Sequence, residues 1–182
     1  MMAYYTLVRN GKSPQMKDSL LSLANKLVSS MPRSAFHTVM GQSARDFIWG
    51  SNSVAANQGM LLISAYRIDP KKIYLEGALS NLDYILGRNA TGYCFVTGAG
   101  SRSPMHPHHR PSEADGIAEP VPGLLAGGPN PGRQDKCNYP FTEPETAYVD
   151  DVCSYASNET AINWNAPLVY LVSAIEAIMQ GR

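Results

Sequence analysis

The sequence predicts a mainly α-helical fold with its chemistry on one long loop region, and three observations carry that reading. Apolar residues recur at three- and four-residue spacing in four stretches. Alternating runs of strand length are missing, apart from a short candidate at Tyr93 to Thr97. From Asn89 to about Ser157 the helical period disappears into a segment that holds most of the prolines, three of the 4 histidines and all 3 cysteines.

The first helix is expected at about 14–31. Ser13-Pro14 has the chemistry of a helix start, and Leu20, Leu23, Ala24, Leu27, Val28 and Met31 then mark one face until Pro32 stops it. A second helix is expected at about 53–67, through Val54, Ala55, Leu61, Leu62, Ala65 and Tyr66, with Asp69-Pro70 closing it and capping the next. The third, at about 70–86, carries Leu75, Ala78, Leu79, Leu82, Ile85 and Leu86 up to Gly87, which suits the left-handed residue past a helix end. The loop region covers about 89–157. A last helix at about 159–180, broken or begun afresh near Pro167, carries Leu168, Val169, Leu171, Val172, Ile175 and Ile178 and ends at Gly181.

A chain of 182 residues is long enough for a single domain, 1–182, with its own core. Fifteen basic side chains balance 15 acidic ones, so there is no long-range field to draw nucleic acid or anionic lipid. The low charged fraction, 16%, beside 15 glycines, 13 prolines and 10 tyrosines suits a neutral, hydroxyl-rich ligand. The apolar runs fall short of a membrane span, and Met1-Met2-Ala3-Tyr4-Tyr5 lacks the regions of a signal peptide. Cys94, Cys137 and Cys153 form no CxxC pair, which argues against structural zinc. Cys137 and Cys153 pair if the protein is exported; the alternative is three buried thiols.

Two clusters crowd polar groups where the helical pattern has stopped. The first, Ser103-Pro104-Met105-His106-Pro107-His108-His109-Arg110, places imidazoles and a guanidinium on a proline-stiffened loop with little conformational entropy to lose. It reads as a rigid clamp, as a metal site on His106, His108 and His109, or as a solvated cluster. The proline and the adjacent histidines make convergence on one ion awkward. The second holds Asp150, Asp151 and Glu159 among Tyr148, Tyr155, Asn158, Asn163, Trp164 and Asn165. A glycosidic oxygen leaves only when protonated, so a carboxyl that stays neutral against aromatic rings suits acid catalysis on a sugar. The alternative is a solvated loop and helix cap.

Together these segments resemble the two active-site signatures of glycoside hydrolase family 9, the endoglucanases and related cellulases. Asp83-Tyr84-Ile85-Leu86-Gly87-Arg88-Asn89, Val96-Thr97-Gly98-Ala99-Gly100 and Pro107-His108-His109-Arg110 resemble the first signature. Tyr148-x-Asp150, Tyr155, Glu159-x-Ala161 and Asn165-Ala166 resemble the second. Trp49-Gly50-Ser51-Asn52 and Gly127-Gly128-Pro129-Asn130 also look like family elements, so the likeness covers about 45–178.

The resemblance implies about half of an (α/α)6 barrel, the C-terminal portion of an incomplete catalytic domain. It implies inverting hydrolysis of β-1,4-glucosidic bonds in cellulose or a related β-glucan, with Glu159 as general acid, Asp150 and His108 as the other catalytic positions, and Arg110 binding substrate. Trp49, Trp164 and Tyr155 are candidate sugar platforms; Trp49 reads equally as core. Trp164 departs from the tyrosine that some members carry near the attacking water, and an indole offers only a donor. The family's Asp-Ala-Gly-Asp-type motif for the general base does not occur in these residues. The expected partners are therefore a β-1,4-glucan or cello-oligosaccharide and the remaining N-terminal part of the domain. No cofactor is expected, although the family allows a structural calcium in the complete enzyme, and secretion or periplasmic export follows from the size of the polymer. A non-catalytic glycan-binding remnant and a histidine-cluster metal hydrolase are the competing readings.

Overall fold

The computed structural model describes residues 2–11 and 13–181, and it is mainly helical, with only isolated β-bridges among the described residues. Helix α1 (Met2–Arg9) precedes α2 (Pro14–Ser30), which starts with proline in its first turn behind an extended Ser13. Its period buries Leu20, Ala24 and Val28 on one face, and Pro32 ends it in a 3-10 turn, Met31–Arg33.

The center of the fold is α3 (Ser51–Ile68), buried on several sides, with α4 (Lys72–Ile85) and α7 (Ile162–Met179) packed against it. Two glycines set these approaches. A Cβ on Gly59 of α3 would stand 2.7 Å from Leu171 Cδ2 of α7, and one on Gly77 of α4 would stand 3.0 Å from both Leu62 and Val28. Interiors packed to crystal density have no room for such atoms, so the small residue lets the backbones close. α2, α3, α4 and α7 share one apolar core that includes Leu20, Leu62, Tyr74, Ala78, Leu171 and Ile175.

By length and composition Ile162–Met179 is apolar enough to cross a membrane, although the sequence showed no run of span length. Here its apolar residues have a packing reason, since Leu168, Leu171, Ala174 and Ile175 are buried, while Val169 and Met179 stay exposed.

A second core joins this helical layer to the loops. Ala55 and Ala56 of α3, Tyr84 and Ile85 of α4 and Leu168 of α7 meet Met40, Phe47, Phe95, Leu125, Ala126 and Tyr148. The loop region is therefore seated on the helices rather than free of them. After α4 the chain turns at Gly87 (φ +128°), and Asn89 donates to the carbonyls of Tyr84 (2.7 Å) and Tyr93 (2.9 Å).

Three expectations are corrected. The strand candidate at Tyr93 to Thr97 makes one bridge, Val96 with Leu125, because the chain turns away again at Gly98. The loop region contains two short helices, α5 (Arg110–Ala114) and α6 (Tyr155–Asn158). The last helix begins at Ile162 rather than 159; Glu159 is extended (φ −67°, ψ 152°), since Glu159 bridges to His108 and Thr160 to Ala126. Of the cysteines, Cys137 and Cys153 are bonded, with Cα atoms 6.1 Å apart, and Cys94 is free and buried.

Candidate active site

Asp150 is where the two polar clusters join. Its Oδ2 accepts from the backbone N–H of Met105 (2.7 Å), and its Oδ1 from the N–H of His106 (2.9 Å) and from Asn158 Nδ2 (3.0 Å). Both oxygens are occupied, so this carboxylate orients the histidine loop. Asn158, fully buried, continues the link: its Nδ2 donates to the His106 carbonyl (2.7 Å), its Oδ1 accepts from Tyr148 Oη, and its backbone oxygen accepts from His108 N–H (2.9 Å). Burial pushes the Tyr148 phenol well up, with the nearby Asp150 charge adding to it, so the hydroxyl is a neutral donor.

The histidines are spread apart. His108 Nδ1 lies 2.6 Å from the carbonyl of Val152. A carbonyl only accepts, so Nδ1 carries a proton and Nε2 is the nitrogen turned away from that bond. His109 Nδ1 pairs with Ser112 Oγ at 2.9 Å, and His106 is exposed. Among the described residues no group of three or more His, Cys, Asp or Glu side chains is arranged to hold a metal ion. Arg110 stands exposed at the start of α5.

Glu159 is half-buried at the edge of an aromatic cluster. Its Oε2 accepts from Trp49 Nε1 at 3.1 Å, and its backbone oxygen accepts from Gly127 N–H at 2.9 Å. The Trp49 and Tyr155 rings lie 5.4 Å apart, and Tyr155 meets the His108 ring edge-on at 6.0 Å. Tyr155 Oη is fixed by the Gln134 carbonyl (3.0 Å). The structure thus brings Glu159, Trp49, Tyr155 and His108 into one cluster, with Asp150 bonded to the loop that carries His108.

Trp164 is wedged between two glycines. A Cβ on Gly50 (φ +80°) would lie 2.8 Å from Trp164 Cε2, and one on Gly127 would lie 3.2 Å from its Cζ3. Its ring holds the N-terminus of α3 against the Gly127 loop, a packing role the sequence reading did not weigh.

Sequence reasoning also missed Asp135. Its Oδ2 accepts from Ala156 N–H, Ser154 Oγ and Tyr139 Oη, each at 2.9 Å, and its Oδ1 from Cys137 N–H at 3.1 Å. Burial alone would raise this carboxyl, but these donors outweigh it and hold the group below the usual range. An aspartate two residues before a cysteine, inside a glycine- and proline-rich run, is the only sequence signal it leaves. Beside Asp150 there is also a pocket of about 390 Å³, with Tyr93, Arg102, Phe141 and Tyr148 among its walls. Arg102 covers the Tyr93 ring there at 4.1 Å.

The arrangement can deliver a proton from Glu159 to an oxygen placed beside an aromatic wall, with His108 Nε2 as a nearby partner for a hydroxyl. Known proteins resemble the chain over most of its length. The sequence profile of glycosyl hydrolase family 9 matches residues 2–172. The chain is 51% identical over 164 residues to the xyloglucan-specific endo-β-1,4-glucanase BoGH9A of Bacteroides ovatus, covering 90% of this chain and 28% of that protein. It is 38% identical over 177 residues to endoglucanase D of Acetivibrio thermocellus, covering 95% of this chain and 26% of the relative. Among solved structures, a Bacteroides ovatus family 9 protein superposes with a TM-score of 0.84 at 46% identity, over 93% of this chain and 29% of that one. AaCel9A in complex with cellobiose-like isofagomine superposes with a TM-score of 0.78 at 36% identity, over 90% and 31%. The chain thus spans less than a third of the length of these relatives.

Proposed function

The chain belongs to glycosyl hydrolase family 9 and carries part of that family's (α/α)6 barrel, and from this premise we propose that it supplies the acid half of an inverting β-1,4-glucanase site. Glu159 protonates the glycosidic oxygen as the bond from C1 breaks, and a water attacks C1 from the opposite face. That water gives its proton to a base carried by a segment beyond these residues, the remaining part of the catalytic domain. In an inverting site the two carboxyls stand ~6.5–9.5 Å apart to admit the water. His108 and Arg110 grip sugar hydroxyls, and Trp49 and Tyr155 present the stacking wall.

The single observation that carries this reading is the Glu159 carboxyl, held through Oε2 by Trp49 Nε1 within the Trp49–Tyr155–His108 cluster, which leaves Oε1 for a substrate oxygen. Xyloglucan is the first polymer to offer, because the relative at 51% identity is specific for it. The bonded Cys137–Cys153 pair supports export to an oxidising compartment, where such a polymer is found.

The test is Glu159→Gln in the full-length catalytic domain that carries these residues. Turnover of unactivated xyloglucan should fall about 10²–10⁴-fold, the usual contribution of general acid catalysis, with KM little changed. Unchanged turnover would remove Glu159 from the acid role. Reducing-sugar release by the present chain alone would show that a carboxylate within it serves as base, and would overturn the division into two halves.

A further inference from the structure

Resting on the acid assignment above, we propose that Asp135 is a positioning residue for Glu159, fixing from a separate loop the single helical turn that delivers the acid to its place. The argument begins with α6. A helix of 4 residues, Tyr155–Asn158, cannot hold its own shape, since nucleation is unfavourable and only longer helices repay it. Its geometry must come from bonds made outside it.

Those bonds are at its two ends. At the start, Asp135 Oδ2 accepts from Ser154 Oγ and from Ala156 N–H, both at 2.9 Å, and Ser154 Oγ also lies 3.3 Å from the N–H of Ser157 that it caps. At the far end, Gly128 N–H donates to the Ser157 carbonyl (2.8 Å) and Gly127 N–H to the Glu159 carbonyl (2.9 Å). Glu159 follows the last helical residue directly, so a shift at Ser154–Ala156 passes through one turn to the acid.

The second end is tied by backbone, which substitution hardly touches. The first depends on one carboxylate with four donors. Two further features make Asp135 a fixed point. Tyr139 Oη lies 2.9 Å from Asp135 Oδ2 and 2.8 Å from Ser154 Oγ, so the two buried hydroxyls and the carboxylate form one small network that shares two protons. The Cys137–Cys153 bond joins the Asp135 loop covalently to the residue before Ser154. The neighbouring Gln134 carbonyl takes Tyr155 Oη, so the same loop also sets the stacking wall. The depressed protonation of Asp135 agrees with a carboxylate that stays charged throughout the working range.

The experiment compares two substrates in the full-length catalytic domain. Cellotetraose needs a proton on its leaving oxygen; 2,4-dinitrophenyl β-cellobioside does not, because its phenolate leaves unaided. Asp135→Ala should lower kcat on cellotetraose about 10²-fold, the penalty for misplacing a catalytic group by about 1 Å. KM should stay within about 3-fold and kcat on the dinitrophenyl substrate within about 3-fold, the pattern expected of Glu159→Gln. Tyr139→Phe, which removes one donor and keeps the ring, should show the same selective loss at roughly a tenth of the size, and serves if Asp135→Ala does not fold. If Glu159→Gln is selective but both other variants slow the two substrates equally, or slow neither, Asp135 has a structural role only and the proposal is overturned. If Glu159→Gln itself is not selective, the acid assignment falls and this inference with it.

Discussion

Replacing Asn158 by alanine tests the junction on which the site depends. The side chain is fully buried and makes three hydrogen bonds: from Tyr148 Oη, to the His106 carbonyl and to Asp150 Oδ1. His106 is exposed, so water replaces the amide at its carbonyl. Tyr148, only 3% exposed, has no such recourse, and an orphaned buried hydroxyl costs about 1–3 kcal/mol. Asp150 loses one of its three donors, and a hydrogen bond to a charged group contributes about 1.5–3 kcal/mol. The variant should therefore lose about 4 kcal/mol, a large part of the ~5–15 kcal/mol by which domains are stable. Tyr148→Phe, which strands only Asn158 Oδ1, should lose about 1–2 kcal/mol. In the double variant neither the hydroxyl nor Asn158 Oδ1 is stranded, so both penalties vanish and its loss should fall short of the sum by about 2–5 kcal/mol, well beyond the ~0.5 kcal/mol within which independent sites add. Urea unfolding of the chain, followed by the emission of Trp49 and Trp164, reads all four proteins. Additive losses would refute the reasoning, because they would mean that the Tyr148 hydroxyl does not depend on Asn158.

The remaining predictions concern the supports of the same site. Gly50→Ala places a non-glycine residue at φ +80° and a methyl 2.8 Å from the Trp164 ring; left-handed strain of ~1–2 kcal/mol and overpacking of ~1–3 kcal/mol should together lower stability by about 2–5 kcal/mol and shift the tryptophan emission. An unchanged urea midpoint would mean that the Trp164 wedge is loose. Cys153→Ser opens a loop with sequence separation 16 and should cost about 3 kcal/mol, with reductant lowering the parent protein by the same amount and leaving the variant unmoved. Asp135 has a folded pKa below its unfolded value of ~3.9, so its stabilisation is complete above that value and is lost as pH falls through the depressed one. Asp135→Asn should flatten the fall of the urea midpoint below about pH 4; parallel curves for the two proteins would contradict it.

How much of this was legible depended on the range of the forces involved. The period of α2 reads directly from Leu20, Ala24 and Val28 because one face meets one core. The start of α7 does not. Ala161 caps it without a side-chain bond, so the sequence lacks a stop signal and the helix was expected to run back through Glu159. What holds Glu159 extended is a pair of bridges, from Glu159 itself to His108 and from Thr160 to Ala126, which no local period records. The same applies within the site. Asp150 and His108 were recognisable as types in a pattern, but the bond from Trp49 to Glu159 joins residues 110 apart in sequence, and Asp135 reaches Ala156 across 21. Trp164 was visible as an aromatic; its seat between Gly50 and Gly127 required the fold.

The hydrogen bonds also bear on which carboxylate is to accept the proton from water. Asp150 joins the two polar clusters, but its oxygens already receive three N–H donors that order the His106–His108 loop. Protonating Asp150 would cost these bonds and release the loop that presents His108. Asp135 has the same difficulty with four donors. Asp151 is exposed and takes the Cys153 N–H at 2.8 Å to shape its own turn. A base near the operating pH needs the reverse environment, with few donors and an open face toward the water. These three carboxylates are thus each committed to holding a turn or loop in shape. That agrees with the division of the site proposed above, in which the base comes from the part of the barrel that this chain, at 28% of its relative's length, does not span.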